Sequence, residues 1–422
     1  MPNIQPFQGL LYNKSKVSLS DVVAPPYDVI SSEQQQELYD KSEYNVVRLI
    51  LGREENRYEE SAAYFNLWKK ENVILQDDAP AFYVVTQTLM LEDGKQITRK
   101  GFIGACELEE FGKSIYPHEK TLSKPKEDRL KLFTATGAMF SQVFSLYTDR
   151  EYKLNDIVYQ ITSSKPWAEI EFENVLNRIW KLTDTERINA LQQFLSKQKI
   201  IIADGHHRYE TAMTYRETLR KANPSYTGTE PYNFIPMFFT NTNDPGLMIF
   251  PTHRIIHSLP EFDTGALIEK LEEYFRVTIY SNQNQLLKNL PLRTNNFGFI
   301  LPTALGFILL ELKSLSVMEQ FGLPEVVAKL DVSVLHTLIL NHIFGISEEA
   351  QVQKTNLDYV KDSQQAIDLV RAGNAQAGFL LNPTPIEQVR EAAEAGYVLP
   401  QKSTYFFPKL LSGLVMYSFT SV

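Results

Sequence analysis

The sequence predicts an α+β fold, because strands and helices alternate along its 422 residues in no regular order. Two patterns carry this prediction. Residues 81–91 and 96–107 are typical of a hairpin around the turn 92–95. The apolar, β-branched run 199–203 is typical of a strand buried on both faces, and a helix with one apolar side follows over 206–222. No internal repeat or low-complexity tract interrupts this order.

The remaining elements follow from the same signals, taken along the chain. Ser31 is a candidate N-cap for a short helix that ends near Asp40. Further helices are predicted over 56–72, 185–197, 264–274, 332–344 and 363–372, and another opens at 384–385. Strands are predicted over 44–51, 141–147, 169–172, 234–240, 247–256, 276–280, 377–381 and, as a pair, 297–312. The turn 243–246 predicts a hairpin between 234–240 and 247–256, and another hairpin is predicted to end the chain.

Two domains are expected, because 422 residues exceed what a single hydrophobic core usually supports. Hydrophobic residues make up 43% and charged residues 22% of the chain, so sizeable cores can form. The second region begins near Leu259-Pro260. We therefore predict an α+β N-terminal domain over 1–258 and a smaller α+β C-terminal domain over 259–422.

The overall charge and the termini narrow the class of function. A formal net charge of -9 disfavours general nucleic-acid binding, since such a chain repels phosphates unless positive charge is concentrated locally. The single cysteine, Cys106, excludes an internal disulfide and a zinc ribbon. The N-terminus lacks a signal-peptide pattern, and no apolar run approaches the roughly 20 residues that span a bilayer. These features predict a cytoplasmic protein without a membrane partner, and they indicate no oligomeric state.

The segment Asp204-Gly205-His206-His207-Arg208 joins the predicted buried strand to the helix that follows it. A helix N-terminus carries partial positive charge and is a natural anion site. Three potential cations in the first turn would each add about 0.3–1 kcal/mol of repulsion when charged, which a bound phosphate would offset. Asp204 could cap the helix, take a proton from a substrate hydroxyl, or hold a magnesium ion beside phosphates. The competing interpretation is a helix cap followed by a solvated basic turn.

Several other kinds of site are disfavoured by spacing. Neither G-x-x-x-x-G-K-[ST] nor G-x-G-x-x-G occurs, so a nucleotide site must be built differently from a P-loop or a Rossmann fold. His206 and His207 are adjacent, so on a helix they point about 100° apart and cannot easily share one metal ion. His253 and His257 lie in a strand-like region, and no H-E-x-x-H motif exists. No protein-bound metal is predicted, while magnesium recruited by phosphate and Asp204 stays open.

Three further segments are weaker candidates. His118-Glu119-Lys120-Thr121 lies in a polar loop, which either carries function or is a solvated connector. His253-Arg254, at the end of a strand, either grips a second phosphate or faces solvent. The polar-aromatic loop 402–409 either contributes to a site or is a packed corner before the last strand.

The run 202–212, IADGHHRYETA, resembles the signature of a widespread bacterial family, the domain of unknown function 1015. Four further motifs support this resemblance in the same chain order, and together they cover nearly the whole chain: PFQGL at 6–10, VVAPPYDVIS at 22–31, HEKT at 118–121 and PQKSTYFFPKL at 400–410. The family brings no settled activity with it.

The Gly-x-x-Arg core, Gly205 to Arg208, is also similar to the phosphate motif of the ParB/sulfiredoxin-like superfamily. That superfamily includes CTP-binding partition proteins, ATP-using sulfiredoxins and an archaeal kinase that phosphorylates free serine with ADP. The kinase also has an Asp-Gly-His-His-Arg box. The resemblance implies a mixed-sheet, ParB/sulfiredoxin-like core in the N-terminal region, with Asp204, His206, His207 and Arg208 facing nucleotide phosphates. It also implies a carboxylate base, for which Glu119 is our candidate.

The chain departs from each relative in one respect. It has Gly205 where sulfiredoxin has its catalytic cysteine, it shows no helix-turn-helix after the box, and it is far longer than the serine kinase. The first two departures favour small-molecule chemistry over DNA binding.

The sequence therefore predicts a nucleotide-dependent phosphotransferase acting on a small hydroxyl compound, with free serine as the leading acceptor. Asp204, His207 and Glu119 are the predicted catalytic residues. The predicted phosphate-binding and nucleotide-binding residues are Gly205, His206, Arg208, His118 and Arg254, with ADP or ATP as the nucleotide and magnesium as a candidate cofactor. A nucleotide-sensing protein without turnover is the first alternative, and a ParB-like DNA-associated protein is the second.

Overall fold

The computed structural model describes residues 1–91, 93–121, 123–303 and 306–420. It divides into two compact units that are not consecutive stretches of chain. Unit 1 comprises Met1–Pro117, Thr121–Met248 and the residues from Pro408 onward, and unit 2 comprises His118–Lys120 and Ile249–Phe407. The predicted domain division into 1–258 and 259–422 stays a prediction. The last two residues of the second predicted domain, Ser421 and Val422, lie outside the described residues.

Unit 1 is a sheet with helices around it, and its elements match most of the predicted ones. Its α-helices are α1 Leu19–Val22, α2 Ser32–Lys41, α3 Val47–Ile50, α4 Arg57–Lys70, α5 Ser123–Thr136, α6 Asn155–Thr162, α7 Thr185–Leu195 and α8 His206–Ala222. Short 3-10 helices cover Tyr27–Val29 and Pro231–Asn233. The predicted cap is confirmed, because the Ser31 side chain accepts a hydrogen bond from the backbone N–H of Gln34.

The strands of unit 1 form one large mixed sheet and two small pairs. They are β1 Ile4–Gln5, β2 Leu10–Tyr12, β3 Ile74–Gln76, β4 Phe82–Met90, β5 Gln96–Glu107, β6 Ile115–Tyr116, β7 Ala138–Met139, β8 Val143–Tyr147, β9 Ala168–Phe172, β10 Val175–Leu182, β11 Ile200–Asp204 and β12 Phe234–Asn241. Within the described residues nine of them form a sheet in the order β6-β11-β8-β12-β5-β4-β10-β9, with β1 beside β5. The pairs β6–β11 and β8–β12 are parallel and the others antiparallel.

The predicted hairpin of unit 1 is confirmed, since β4 and β5 pair antiparallel from Tyr83↔Ile103 to Met90↔Gln96. Glu92 of its predicted turn lies outside the described residues. The α+β fold class is confirmed as well, because helices accompany a sheet that is mixed rather than uniformly parallel.

Unit 2 combines an antiparallel sheet with helices packed against both of its faces. Its strands are β13 Met248–Phe250, whose first residue belongs to unit 1, β14 His253–Ile256, β15 Phe275–Tyr280, β16 Asn296–Ile300, β17 Phe307–Leu312, β18 Leu357–Val360, β19 Ala377–Leu380 and β20 Tyr405–Phe407. A last strand, β21 Tyr417–Ser418, belongs to unit 1 and pairs with β7. In the part of the chain that is described, six strands of unit 2 form the order β15-β17-β16-β19-β14-β18.

The helices of unit 2 include one unusual segment. The α-helices are α9 Thr264–Tyr274, α10 Gln283–Asn289, α11 Glu325–Ala328, α12 Asp331–Ser333, α13 Glu348–Gln353, α14 Ser363–Arg371 and α15 Ile386–Glu394, and 3-10 helices cover Leu290–Leu292 and Leu315–Phe321. The predicted apolar helix 332–344 is instead α12 followed by a π-helix over Val334–Ile343. Its wider turn is visible where the N–H of Phe344 donates to the carbonyl of Ile339 at 2.9 Å.

Three sequence predictions of secondary structure are wrong. Residues 44–51 contain helix α3 rather than a strand, because the Asn45 side chain accepts from the N–H of Val47 at 2.9 Å and turns the chain. Most of this run is buried, and a short buried apolar run has the same pattern whether it forms a strand or a helix. The hairpin across 243–246 does not form, since β12 pairs with β5 and β8 while β14 pairs with β18 and β19. The final hairpin is also absent, because β20 pairs with β13 and β21 with β7.

A buried carboxyl group in unit 2 predicts a pH-dependent stability. Burial raises the pKa of Asp331 from 3.8 to about 6, although the carboxylate accepts from the N–H of Asn295 at 2.7 Å. The folded state therefore binds this proton more tightly than the unfolded state, and stability falls as the pH rises from about 4 to about 6. We expect Asp331→Asn to raise the melting temperature at pH 7 by a few degrees, about 2 kcal/mol, and to remove this pH dependence.

Calorimetry at pH 5 and pH 7 measures this effect, with the exposed Asp368→Asn as the matched control. An Asp331→Asn variant that melts lower than the parent at pH 7 would contradict the expectation.

Candidate phosphate site

Strand β11 presents Asp204 at its carboxyl end. Ile200, Ile201, Ile202 and Ala203 are buried, and the strand lies between β6 and β8 in the large sheet of unit 1. After an irregularity at Ile202/Asp204, Asp204 stands opposite Phe144 of β8. The apolar run therefore ends at the residue where a carboxylate reaches partial solvent exposure.

Gly205 connects this strand to helix α8 in a conformation that favours glycine. Its φ of 89° and ψ of 25° lie in the left-handed region, and it is the N-cap residue of the helix. A Cβ atom at this position would lie 2.8 Å from Nη2 of Arg208. The glycine therefore allows the Arg208 side chain to fold back over the start of its own helix. Gly205 has no side chain that could cap the helix, and a capping role for Asp204 stays a prediction.

Arg208 is held in this position by the neighbouring strand connection. Its Nη1 donates to Oγ of Ser141 at 2.9 Å and to the carbonyl of Gln142 at 2.5 Å. Its Nη2 lies 3.7 Å from Oδ2 of Asp204, and the side chain is largely buried. The guanidinium is thus preorganised beside the carboxylate rather than extended into solvent.

Lys409 brings a second cation to the same carboxylate. Its Nζ lies 3.4 Å from Oδ2 of Asp204, and only 15% of its side chain is exposed. The backbone carbonyl of Lys409 accepts from Nε2 of Gln87 at 3.1 Å, which ties this C-terminal segment to strand β4. The sequence singled out the loop 402–409 but did not assign Lys409 a role, because nothing in a linear pattern joins it to Asp204.

Arg99 is a third cation, and it is fully buried. Its Nη2 donates to the carbonyl of Pro408 at 2.5 Å and to the side chain of Gln87, and its guanidinium lies 4.6 Å over the ring of Phe144. Its Nε and Nη1 have no hydrogen-bond partner among the residues that the structure describes. Burial lowers the pKa of Arg99 to about 9, and the charges of Asp244 and Asp204 act in the opposite direction.

Sequence reasoning missed Arg99, although a signal was available. In a strand, alternate residues share a face, so Arg99 of β5 shares its face with Ile97 and Ile103. Ile103 is fully buried, so this face of the strand packs in the core. Arg99 is the exceptional residue on it, because charged side chains are rarely buried.

Helix α8 is anchored firmly behind this site. The hydroxyl of Tyr209 accepts from the N–H of Glu109 at 3.0 Å and donates to its carbonyl at 2.8 Å. Glu210 pairs with Lys126 at 2.7 Å and accepts from the hydroxyl of Thr121 at 2.9 Å. In the first turn His206 is buried and His207 is partly exposed. The helix N-terminus is therefore fixed against the sheet, as a preorganised site requires.

Asp204 has cationic neighbours. Nη2 of Arg208 and Nζ of Lys409 lie within 4 Å of its Oδ2, and the charges of Asp204 and Asp244 both act on Arg99. Burial raises the pKa of Asp244, which disfavours its charged form. The start of α8 adds a partial positive charge. Such a cluster is suited to bind an anion with several oxygens.

The family model described as "Protein of unknown function (DUF1015)" matches residues 4–333. The chain belongs to this family. The predicted membership of this family is thereby confirmed. Residues 204–208 and Arg99 fall inside the matched range. No curated protein matches the DUF1015 chain.

Three solved structures are similar to this DUF1015 chain at low levels. A conserved hypothetical protein from Pyrococcus furiosus is 16% identical with a TM-score of 0.34, and the match covers 70% of this chain and 90% of that one. A variant of a free serine kinase in complex with ADP is 13% identical with a TM-score of 0.36, covering 71% and 88%. SbnI with a C-terminal truncation, from Staphylococcus aureus, is 9% identical with a TM-score of 0.36, covering 74% and 85%.

The other predicted site residues of the DUF1015 chain, His118, Glu119 and Arg254, lie in unit 2. His118 is buried, and its Nε2 lies 2.8 Å from Oγ1 of Thr404. Glu119 accepts from the N–H of Lys402 at 2.9 Å, and Nη2 of Arg254 donates to the carbonyl of Lys402 at 3.2 Å. These three side chains therefore converge on the segment 402–404, and their assignment to a nucleotide site stays a prediction.

Arg254 does not face solvent. It is fully buried, and its Nη2 also donates to Nε2 of His336 at 2.9 Å. Burial lowers the pKa of Arg254 to about 10. The solvent-facing alternative that the sequence left open is wrong.

Metal binding by the DUF1015 chain would depend on a ligand from outside the protein. Among the described residues, no three or more His, Cys, Asp or Glu side chains are grouped so that they could hold a metal ion. Asp204 offers a carboxylate, but two cations already lie within 4 Å of its Oδ2. Magnesium fits here only together with phosphate oxygens, which supply most of its ligands in many nucleotide sites.

In the described part of the chain, no helix is long and apolar enough to cross a membrane.

Proposed function

We propose that this protein is a nucleotide-dependent phosphotransferase that acts on a small hydroxyl compound, with free serine as the leading acceptor. The observation that carries the proposal is the cationic cluster at Asp204. Two largely buried cations, Arg208 and Lys409, lie within 4 Å of this carboxylate beside the N-terminus of a helix, and the fully buried Arg99, on which its charge acts, has two donor atoms without a partner among the described residues. Leaving a charged donor buried and unsatisfied costs more than about 1–3 kcal/mol, so a bound anion would relieve that cost.

A chain of phosphates suits this cluster better than a single carboxylate ligand. Arg208 and Lys409 flank Asp204, while Arg99 is placed beside it over Phe144. Several positive groups held apart in this way can each engage a different phosphoryl oxygen. The Asp-Gly-His-His-Arg box resembles that of an ADP-using kinase, which favours ADP or ATP, and in this proposal His206 and His207 donate to the same phosphates.

Catalysis in this proposal comes from positioning and electrostatics. Phosphoryl transfer passes through a loose transition state and asks for little covalent chemistry from the protein. The cations stabilise charge on the transferring group, and Asp204 orients the acceptor hydroxyl and accepts its proton. Magnesium, when bound through the phosphates, would neutralise part of their charge. Glu119 is the alternative base from the sequence, and its role stays a proposal.

A two-part experiment tests this proposal. Purified protein is screened for thermal stabilisation by ADP, ATP and CTP, with and without magnesium, where saturation at 100 times the Kd stabilises by about 2.7 kcal/mol. The same protein is incubated with nucleotide and free serine, and phosphoserine is measured by mass spectrometry, followed by a panel of small alcohols. We expect both stabilisation and phosphorylated product. Absence of both would sink the proposal.

The pairing of Asp204 favours one alternative, a nucleotide-sensing protein without turnover. Two cations already lie within 4 Å of its Oδ2, where an acceptor hydroxyl would have to bind. Stabilisation by nucleotide that is lost in Arg208→Ala, with no change in the nucleotide over long incubation, would select this alternative.

A further inference from the structure

Unit 2 contains a cavity of about 170 Å³ that the proposed phosphotransfer does not use. Its lining combines apolar side chains, among them Leu323, Val327 and Val398, with polar and charged ones, among them Ser333, His336 and Lys120. An engineered cavity of about 150 Å³ takes up benzene, so this volume suits a ligand of roughly six to nine non-hydrogen atoms.

The wall of the cavity is formed partly by the π-helix Val334–Ile343 and the short helix before it. Ser333, His336 and Thr337 all come from this stretch and all line the cavity. Segments of π-helix are rare and occur frequently at functional sites. The π-helical segment therefore supplies part of the cavity wall.

The polar groups of His336 are already engaged. Gln351 donates through Nε2 to the carbonyls of His336 and Ile346, so its Oε1 must accept from Nδ1 of His336 at 2.6 Å. Nε2 of His336 is then unprotonated and accepts from Arg254 at 2.9 Å. Burial and the charge of Arg254 lower the pKa of His336 to about 3, so the ring stays neutral. This side of the cavity is rigid and uncharged.

Ser333 differs from His336, because its hydroxyl is not engaged by a described residue. Ser333 is 1% exposed, and its Oγ has no hydrogen-bond partner among the residues that the structure describes. A buried hydroxyl without a partner is exceptional in folded proteins. The cavity that it lines is the natural place for that partner.

The exposed edge of the cavity carries one charge of each sign. Lys120 and Glu348 are both exposed and both line it, and they are accompanied by Val352, whose surface is 44% exposed. Leu323, Val327 and Val398 extend the apolar lining. A complementary ligand has a negative group, a positive group and a short apolar body.

We propose that this cavity binds a free amino acid with an aliphatic side chain. Its carboxylate pairs with Lys120, its ammonium group pairs with Glu348, and its side chain packs on Val327, Val352 and Val398. The hydroxyl of Ser333 hydrogen-bonds to the bound molecule. The proposal does not depend on phosphotransfer at Asp204, and it assigns unit 2 a ligand of its own.

Titration calorimetry of the full chain with L-leucine tests the proposal. Two analogues separate the contributions, since 3-methylbutylamine lacks the carboxylate and 4-methylpentanoate lacks the ammonium group. We expect saturable binding of leucine and a Kd at least about tenfold weaker for each analogue, as loss of one charge-assisted contact implies. No binding of leucine, or equal binding of either analogue, would overturn the proposal.

Matched variants locate the site. Lys120→Met and Glu348→Gln should each weaken leucine binding by about tenfold or more. Glu349→Gln removes the same charge from the adjacent exposed position, which does not line the cavity, and should leave binding unchanged. Ser333→Ala should weaken leucine binding severalfold without unfolding the protein, since its hydroxyl has no protein partner to lose. Equal affinity of Glu348→Gln and Glu349→Gln for leucine would place the ligand elsewhere.

Discussion

Arg99→Met is expected to abolish stabilisation by nucleotide while the unliganded protein stays folded. Methionine fills much of the same space and leaves no charge between Phe144 and Pro408, but it provides none of the donors. Each lost charge-assisted hydrogen bond is worth about 1.5–3 kcal/mol, so losing two should weaken the nucleotide Kd by about 10²-fold or more. Thermal shift and calorimetric titration with ADP and ATP measure the loss.

Two further variants make this result interpretable. Arg178→Met removes the same charge from a partly exposed position on strand β10 of the same sheet, where Arg178 faces Glu169 at 3.4 Å, and should leave nucleotide binding intact. Arg99→Lys keeps the charge but lacks the planar fork, so an intermediate Kd is expected. A folded Arg99→Met protein that binds nucleotide as tightly as the parent would show that the buried guanidinium is structural only.

Asp204→Asn is expected to separate binding from turnover. Removing the one carboxylate between Arg208 and Lys409 leaves more positive charge for phosphate, so the nucleotide Kd should stay equal or become tighter. The acceptor hydroxyl loses the group that orients it and takes its proton, which should lower kcat by about 10²–10⁴-fold. Measured together, the nucleotide Kd and the rate of phosphoserine formation report the two effects.

The exposed Asp156→Asn is the control for this change, because it removes a carboxylate from helix α6 of the same unit. It should alter neither quantity. Full turnover in Asp204→Asn would exclude Asp204 as the base and move that role to Glu119 or to no residue at all.

The sequence predicted the secondary structure around Asp204 correctly because strand, glycine and helix are consecutive. The run 200–203 is apolar throughout, Gly205 follows Asp204, and the helix has a clear apolar side, so the boundaries of β11 and α8 came out close to the structure. The same reasoning failed at 44–51, where β-branched residues are buried in a short helix set by the side chain of Asn45.

The distant part of the site could not be predicted, because it depends on contacts far apart in sequence. Arg99 and Pro408 are separated by 309 positions, and Lys409 meets Asp204 only through the fold. A period-2 pattern could have marked Arg99 as a charge on an apolar face, but no pattern along the chain indicates which residues surround it. The candidates His118, Glu119 and Arg254, which the sequence groups with the box by their chemistry, lie in the other compact unit, and their assignment to the site stays a prediction.

The contacts of Pro408 and Lys409 also bear on how the protein is made. Residues 249–407, which form most of unit 2, are synthesised between the last strand of the large sheet and this segment. At about 5–20 residues per second, a ribosome needs roughly 8–30 s to cover that distance. Throughout that interval Arg99 lacks the carbonyl of Pro408 as acceptor, and Asp204 lacks Lys409 as neighbour. A nascent chain can therefore pair its strands early, yet the proposed anion-binding cluster becomes complete only after Pro408 and Lys409 have left the ribosome.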